Sequence, residues 1–314
     1  MLAVVCPGQG AQTPGILAPW LEVPGVAHTL GELSEVSGLD LARLGTTADA
    51  DEIRDTAVAQ PLLVASALAS ARALGAAPDV VAGHSVGELG ALALAEVLDD
   101  RTALRLVALR GRAMAEAAAR VPTGMSAVLG GDPDEVLARL AELGLTPANV
   151  NGGGQVVAAG TLDALAELAA APPTRAKVIP LQVAGAFHTD VMAPAVDVLR
   201  DAAAGVTPAD PRVTLLTNAD GTPVATGAQA IDLVVQQVAR PVRWDLVQET
   251  MASLGVTGLL ELAPGGVLAG LARRVLPDVE RVALKSPADL DAARDLAARH
   301  SGTSVPTTNQ EDQP

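Results

Sequence analysis

Short apolar segments alternate with long segments rich in Ala and Leu along most of this chain, and this alternation limits the folds open to it. The short segments have the composition of buried strands: LAVVC (residues 2–6), DVVAG (79–83), VTLLTN (213–218) and GLLELA (258–263). Strands that alternate with helices favour a parallel sheet covered by helices on both faces. We therefore predict an α/β fold, and 314 residues suffice for one large domain or two unequal ones.

The alternation changes between about residues 123 and 191. MSAVLGG (125–131) predicts a strand, and Asp132 and Pro133 mark the start of a helix as its cap and its first residue. Two short strand-like segments joined by GGG, a second capped helix and a last strand complete the order βαββαβ, which is typical of a ferredoxin-like unit.

We therefore predict a small ferredoxin-like subdomain at residues 123–191, inserted into a large subdomain made of residues 1–122 and 192–300. The last segment, residues 301–314, has almost no apolar side chains. Such a composition predicts disorder, because it cannot contribute to a buried core.

Charge and composition exclude several function classes. The net charge of −15 argues against binding nucleic acid, whose phosphates need a basic surface. A lone cysteine, Cys6, excludes an internal disulfide and a multi-cysteine metal site, and we expect no metal. No signal-like segment begins the chain and no apolar run approaches membrane-spanning length. These features lead us to expect a cytoplasmic protein that contacts neither nucleic acid nor membrane.

The stretch VVAGHSVGELG, residues 80–90, contains a candidate nucleophile. Gly83 and Gly87 flank Ser85 in the pattern G-x-S-x-G, which lets a strand turn sharply into a helix and exposes the serine hydroxyl. Apolar residues precede the turn, and the helical segment ELGALALAEVL follows it to Leu98. A strand-to-helix turn with a capping serine and no chemistry is the alternative, and the pentapeptide alone leaves both readings open.

A nucleophilic serine needs a base, and the chain has four histidines. His28 lies in an N-terminal helical segment, His300 borders the polar tail, and His84 should point away from its neighbour Ser85. His188 remains, where the last strand of the small unit leads into a new helix. A capping or core histidine at this position is an equally good reading from sequence position alone.

Arg110 is predicted to be buried. The residues three and four positions away are Leu106, Val107, Ala113 and Met114, so the guanidinium lies within the apolar stripe of its helix. Burial of an unpaired cation is costly, so a partner acid is expected, for which Glu88 and Asp99 are the candidates. Beside a reactive serine, the partner could instead be the carboxylate of a substrate, which matches the fork of an arginine.

The first loop, CPGQGAQTPG, is not a dinucleotide-binding loop, because Thr13 stands where its third glycine is required and Pro14 follows. It remains a glycine-flanked turn that exposes the backbone N–H of Gln9, which suits an oxyanion. A turn without any binding role is the alternative.

Several motifs together resemble the malonyl-CoA:acyl carrier protein transacylases, above all those of actinobacterial fatty-acid synthesis and the acyltransferase domains of polyketide synthases. They span nearly the whole chain in order: PGQGAQ (7–12), AQPLL (59–63), GHSVGE (83–88), RG (110–111), NGGGQVVAAG (151–160), GAFH (185–188) and QVARPVRW (237–244). The resemblance implies an α/β-hydrolase-like parallel-sheet core with a ferredoxin-like insertion. It also implies transfer of a malonyl group from coenzyme A to an acyl carrier protein, without a cofactor, and we expect a monomer.

The resemblance also implies roles for individual residues. Ser85 is the implied nucleophile, His188 its general base, and the backbone N–H groups of Gln9 and Val86 the oxyanion hole. Arg110 is implied to hold the malonyl carboxylate, and Gln237 to orient His188 in place of a triad acid. Three further residues fall at pocket positions of the family, namely Gln60, Asn151 and Gln155.

Two positions bear on the acyl group. Related domains that use malonyl units tend to carry an aliphatic residue after the serine and Phe before the histidine, as Val86 and Phe187 do here. Phe187 beside the α-carbon would exclude a branch methyl, a contact worth only about 1–3 kcal/mol. Two positions depart from the family pattern. The segment before the histidine is GAFH here and more commonly HAFH in polyketide synthase domains, and Gly90 stands where other members often have a larger residue. Both departures bear on which acyl groups the pocket accepts.

Two other functions stay open. One is an ordinary serine esterase or thioesterase, although its triad acid would be hard to choose and Arg110 would have no purpose. The other is a non-catalytic subunit that docks a carrier protein. Since coenzyme A and carrier proteins are anionic like this chain, docking would need a local basic surface, for which Arg240, Arg243, Arg273 and Arg274 are candidates.

Overall fold

A computed structural model describes residues 1–302 of the protein, whose strands form two five-stranded sheets. The first sheet contains β1 (Leu2–Cys6), β2 (Val80–Gly83), β7 (Thr214–Leu215), β9 (Gly258–Glu261) and β10 (Glu280–Ala283). The second contains β3 (Thr123–Gly130), β4 (Thr146–Gly152), β5 (Gln155–Thr161), β6 (Ala176–Pro180) and β8 (Val242–Arg243).

The helices connect these strands and cover the sheets. Those before the small unit are α1 (Val26–Ser37), α2 (Leu41–Thr46), α3 (Thr56–Leu74), α4 (Gly87–Leu94) and α5 (Asp100–Ala118). The small unit contains α6 (Pro133–Glu142) and α7 (Leu162–Ala170). The rest are α8 (Ala193–Ala203), α9 (Gly227–Gln237), α10 (Trp244–Ser253), α11 (Val267–Val275) and α12 (Leu290–His300).

The first sheet is parallel throughout, in the order β10-β9-β1-β2-β7. Every residue of β1, β2 and β9 is buried, as expected for central strands with helices on both faces. Val4 of β1 stands beside Val81 of β2 and Leu260 of β9. The predicted α/β class and parallel core are confirmed. The apolar runs of the sequence are continuous because helices cover both faces of this sheet and exclude water.

The second sheet has the order β6-β3-β5-β4-β8, and its first four strands are antiparallel to their neighbours. Together with α6 and α7 they form the predicted ferredoxin-like unit, and Asp132 caps α6 by accepting the N–H groups of Asp134 and Glu135. The fifth strand, β8, comes from residues outside 123–191 and pairs in parallel with β4. The exact division of the chain at residues 123 and 191 stays a prediction.

Several predicted elements differ from the observed ones. The segment 213–218 contributes only the two residues of β7 to the sheet, and β10 was not predicted. The helix after Ser85 ends at Leu94 rather than Leu98, because Glu96 adopts a left-handed backbone conformation (φ 59°) that an α-helix cannot contain. Of the predicted disordered tail, only Ser301 and Gly302 are described; Gly302 donates its N–H to Asp79.

One helix corrects the expectation that no segment approaches membrane-spanning length. The 19 residues of α3 are long and apolar enough to cross a membrane by length and composition, with 72% of the apolar window buried inside the protein. It packs against α5 and α1, so its apolar surface faces other helices. A core helix of this kind satisfies the same composition test as a membrane span.

The turn at Ser85 depends on close backbone approach. Ser85 has a left-handed φ of 52°, an uncommon conformation for a residue other than glycine. A Cβ atom on Gly83 would lie 2.0 Å from the backbone of Gly87, and one on Gly87 would lie 2.3 Å from the carbonyl oxygen of Cys6. The two glycines therefore let α4 start directly against β1 and β2, as the sequence pattern predicted.

Replacement of Gly87 by Ala should lower the free energy of unfolding by at least about 2 kcal/mol, because the added methyl group meets the Cys6 carbonyl, which cannot move without distorting β1. Urea denaturation measures the effect. Gly31→Ala is the matched control: this exposed helical glycine has open space around it, and the change should stabilise by about 0.5–1 kcal/mol. Equal stability of Gly87→Ala and the parent would contradict the packing argument.

Candidate active site

The predicted nucleophile Ser85 lies where β2 ends and α4 begins, at the carboxyl edge of the parallel sheet. Ligand sites of open parallel sheets form at this edge. Asn218, just beyond β7, holds the turn at two backbone groups. Its Oδ1 accepts the Ser85 N–H at 2.8 Å, and its Nδ2 donates to the Gly83 carbonyl at 2.7 Å. The side chain of a neighbouring strand end therefore holds the strained turn in place.

His188 and Ser85 are in direct contact. The Ser85 hydroxyl donates to His188 Nε2 at 2.8 Å, and His188 Nδ1–H donates to the main-chain carbonyl of Gln237 at 2.8 Å. Because a carbonyl only accepts, this second bond fixes the tautomer and leaves Nε2 free to accept a proton. Burial and the nearby Arg110 cation lower the pKa of His188 to about 3, so its imidazole is neutral at physiological pH.

The other three histidines do not contact Ser85. His28 is exposed on α1, and His300 lies between Thr257 and Glu280. His84 lines the same cavity as Ser85, so the argument that it points to the opposite face was wrong, because the backbone is not extended at Ser85. Its Nε2 bonds to Asn151 at 2.9 Å instead.

Arg110 is 1% exposed, as its helical phase predicted. Its Nη1 donates to Gln60 Oε1 of α3 at 2.7 Å, and its Nη2 donates to Gln237 Oε1 of α9 at 2.9 Å. The same Nη2 lies 3.4 Å from Ser85 Oγ. Helices before and after the small unit thus hold the guanidinium beside the hydroxyl.

No acid of residues 1–302 forms an ion pair with Arg110. Asp99 instead caps α5 by accepting the N–H of Thr102, and Glu88 is separated from Arg110 by the Gln237 amide. Burial lowers the pKa of Arg110 to about 10, while the Glu88 charge opposes this shift, so the side chain remains a cation at neutral pH. Arg110 is therefore a buried cation without a directly bound counter-ion.

Gln237 is placed differently from its implied role of orienting His188. The group that orients the histidine is the main-chain carbonyl of Gln237, whereas its side chain is buried against Arg110 and Glu88. A main-chain oxygen can serve here because the imidazole is neutral and needs an acceptor, not an anion.

A cavity of about 210 Å³ opens above Ser85, His188 and the small sheet. Four further residues predicted for the site line it, namely Gln9, Gln60, Asn151 and Gln155, and Phe187 forms part of its wall. The Asn151 side chain of β4 donates to the Gln155 side chain of β5 at 3.0 Å. This bond joins the two strands where they border the cavity. Seven of the predicted site residues thus line one cavity between the parallel sheet and the ferredoxin-like unit. The other three, Val86, Arg110 and Gln237, are buried behind its wall.

The backbone N–H groups of Gln9 and Val86 are available as donors. Within residues 1–302, neither donates a hydrogen bond to another group, although Val86 is fully buried beside the nucleophile. Gln9 is held through its side chain, whose Nε2 donates to Thr56 at 3.3 Å. Two unused donors beside an acylatable hydroxyl are what an oxyanion hole requires. No cluster of three or more His, Cys, Asp or Glu side chains in this part of the chain could hold a metal ion.

Comparison with known proteins agrees with this geometry. Residues 3–287 match the acyl transferase domain family. The chain belongs to this family. It is 53% identical over 302 residues to the malonyl CoA-acyl carrier protein transacylase of Mycobacterium tuberculosis H37Rv, covering 94% of this chain and 100% of the relative.

Solved structures of other acyl transferases share the fold. A crystal structure of MCAT from Mycobacterium tuberculosis superposes with a TM-score of 0.91 at 53% identity, covering 94% of this chain and 99% of that one. PlMCAT:AntF, a type II PKS acyl-carrier protein in complex with its malonyl-transacylase, superposes with a TM-score of 0.87 at 34% identity, covering 94% and 99%. The α/β-hydrolase-like core with a ferredoxin-like subdomain is thereby confirmed.

Two buried residues of this acyl transferase site were not predicted as members. Asn218 ends the segment VTLLTN, and its position at the carboxyl end of a strand could have indicated the site. The sequence suggested Glu88 only as a direct partner of Arg110.

Burial raises the pKa of Glu88 to about 7, while the N–H of Asn218, the Thr217 and Gln237 side chains and the Arg110 charge oppose the rise. Only the tertiary contacts place these residues beneath Ser85.

The reactivity of Ser85 in this acyl transferase should not depend on pH between about 5 and 8, because His188 stays neutral until the pH approaches its lowered pKa. The rate of labelling by a fluorophosphonate probe measures this, with His188→Ala as the control that the imidazole is needed. A histidine with the ordinary pKa of 6.5 would lose roughly 30-fold in rate on going down to pH 5. A fall of that size would contradict the burial argument.

Proposed function

We propose that the protein transfers a malonyl group from coenzyme A to the phosphopantetheine thiol of an acyl carrier protein through a malonyl-serine intermediate. One observation carries the proposal: the Arg110 guanidinium is buried, has no bound acid among residues 1–302, and lies 3.4 Å from the Ser85 hydroxyl. A substrate that brings its own carboxylate to this point can supply the missing anion, and the fork of an arginine matches a carboxylate. Malonyl thioesters have this carboxylate close to the reacting carbonyl.

In the first step Ser85 Oγ attacks the thioester carbonyl while His188 Nε2 takes its proton. The N–H groups of Gln9 and Val86 bind the oxyanion that forms. The carbon–sulfur bond then breaks, and the departing coenzyme A thiolate receives the proton from His188. In the second step the carrier thiol gives its proton to His188 and attacks the malonyl ester, and Ser85 leaves with that proton. The Gln237 carbonyl steadies the imidazole in both steps.

The size of the cavity supports an unbranched acyl group. Phe187 is 6% exposed and forms part of the wall, and Val86 lies fully buried beside Ser85. Phe187 is a bulky apolar side chain at the cavity wall, so a methyl branch on the α-carbon would compete with it for space, whereas Val86 lies behind the wall.

An acyl carrier protein as the acceptor is supported by the relative whose solved structure holds one. Exposed arginines are available despite the net charge of −15. Arg243 is held in a bidentate pair with Asp245, whereas Arg240, Arg273 and Arg274 are exposed and form no ion pair within residues 1–302. These three arginines are therefore better placed than Arg243 to contact an anionic partner.

Replacement of Ser85 by Ala should abolish formation of the malonyl-enzyme, because the variant lacks the hydroxyl that bonds to His188. Intact-protein mass spectrometry after brief exposure to malonyl-CoA detects the adduct on the parent. An adduct that persists on the variant, mapped to another residue, would contradict the assignment. Comparison of transfer to a thiol acceptor with release of free malonate separates this function from that of a thioesterase.

Replacement of Arg110 by Ala should lower kcat/KM for malonyl-CoA by about 30–100-fold, equivalent to about 2–3 kcal/mol for a lost charged contact, and leave that for acetyl-CoA nearly unchanged. Arg112→Ala is the matched control, since Arg112 is exposed on the same helix. Steady-state kinetics with both thioesters give the ratio. Unchanged preference for malonyl in Arg110→Ala would show that the carboxylate binds elsewhere.

A further inference from the structure

Glu88 is a buried carboxylate beneath the active site that the mechanism above does not use. It lies on the first turn of α4, three residues after Ser85, and is 3% exposed. The Asn218 N–H donates to its Oε1 at 2.9 Å, and Gln237 Nε2 donates to its Oε2. The Thr217 side chain also hydrogen-bonds to this carboxylate, and these contacts favour its ionised form against the effect of burial.

The Gln237 amide connects this carboxylate to Arg110. Its Oε1 accepts from Arg110 Nη2, and its Nε2 donates to Glu88 and, at 3.0 Å each, to the Ser85 carbonyl and Asn218 Oδ1. A guanidinium only donates and a carboxylate only accepts, so the two charges impose the same orientation on the amide between them. The chain from Arg110 through Gln237 to Glu88 therefore runs in one hydrogen-bond direction.

We propose that Glu88 is a positioning residue for acyl selectivity: by orienting the Gln237 amide it keeps an acceptor against Arg110 and holds the guanidinium beside Ser85 Oγ. The proposal rests on the proposed role of Arg110 as the site of the malonyl carboxylate. Glu88 itself lies below the cavity and touches no substrate.

The isosteric change Glu88→Gln replaces an acceptor by a donor at one end of the hydrogen-bond series from Arg110 through Gln237 to residue 88. The new carboxamide has a single oxygen, which the fixed backbone N–H of Asn218 takes, so its NH2 group faces Gln237 Nε2. Two donors then confront each other, and the Gln237 amide must shift or rotate away. Arg110 loses an aligned acceptor, and the charge that favoured its position is gone.

Protonation of Glu88 should have the same effect as its substitution. The charged group that acts on Glu88 is Arg110 of α5. The His188 imidazole and the buried Cys6 thiol of β1 are neutral at physiological pH and add no charge. Because burial raises the pKa of Glu88 to about 7, the carboxylate is present above that pH and is lost below it. The orienting bond to Gln237 is therefore complete only above neutral pH.

The test is the ratio of kcat/KM for malonyl-CoA to that for acetyl-CoA, measured between about pH 5.5 and 8.5, since kcat/KM reports ionisations of the free enzyme. Ionisation of His188 or of coenzyme A affects both thioesters equally and cancels in the ratio. In the parent, the ratio should fall about tenfold as the pH decreases through 7. In Glu88→Gln it should be about tenfold lower at high pH and independent of pH, while fluorophosphonate labelling of Ser85 continues.

Glu261→Gln is the matched control, because Glu261 is also a fully buried carboxylate and accepts the backbone N–H groups of Gly266, Leu268 and Ala269. Its burial also raises its pKa. Within residues 1–302, Glu261 forms no hydrogen bond or ion pair with Arg110 or Gln237, so the selectivity ratio of this variant should keep the pH profile of the parent.

Three results would overturn the proposal: a parental ratio in folded Glu88→Gln, an equal loss of malonyl transfer, acetyl transfer and Ser85 labelling in that variant, or a flat ratio in the parent. The last needs no variant, so it decides even if Glu88→Gln does not fold. If the parent shows no preference for malonyl-CoA over acetyl-CoA at any pH, the role proposed for Arg110 is contradicted. If the parent and Glu88→Gln both prefer malonyl equally at all pH values, the role proposed for Glu88 is refuted and the role of Arg110 is not.

Discussion

The arrangement of this site depends on the burial of one cation. A guanidinium removed from water is unfavourable unless other groups replace its hydration, and Arg110 has two glutamine oxygens, from α3 and α9, in place of a bound acid. Neutral acceptors satisfy part of its hydrogen-bonding capacity and leave its charge largely uncompensated. The site is therefore complementary to an anion that arrives with the substrate, and the hydroxyl that reacts lies within reach of the same nitrogen.

The nucleophile is held by backbone contacts that admit little variation. Gly83 and Gly87 allow α4 to begin against β1, and Asn218 bonds to the Gly83 carbonyl and the Ser85 N–H. Gln237 serves the site twice, through its carbonyl to His188 and through its amide to Arg110. Elements far apart in the sequence thus meet at the carboxyl edge of the parallel sheet, where the strand ends converge.

Sequence reasoning predicted the main residues of the site because each carried a local pattern. Glycine spacing indicated Ser85, helical phase indicated that Arg110 is buried, and elimination left His188. The elimination succeeded although one of its steps failed, since His84 does face the cavity. Asn218 and Glu88 were missed because a single polar residue at the end of a strand or in an apolar helix has no periodicity to mark it. The lengths of β7 and α4 were overestimated because backbone conformation at residues such as Glu96 is not encoded in apolar composition.

By itself the sequence determined the α/β class, the βαββαβ unit, the turn at Ser85 and the burial of Arg110, since these follow from periodicity, glycine placement and capping, which act within a few residues. Only the tertiary structure decided which atoms meet. The main-chain carbonyl of Gln237 rather than its side chain orients His188, and an amide rather than an acid contacts Arg110. Such pairings join residues more than a hundred positions apart in several cases, and they depend on how helices and strands pack, which no local pattern records.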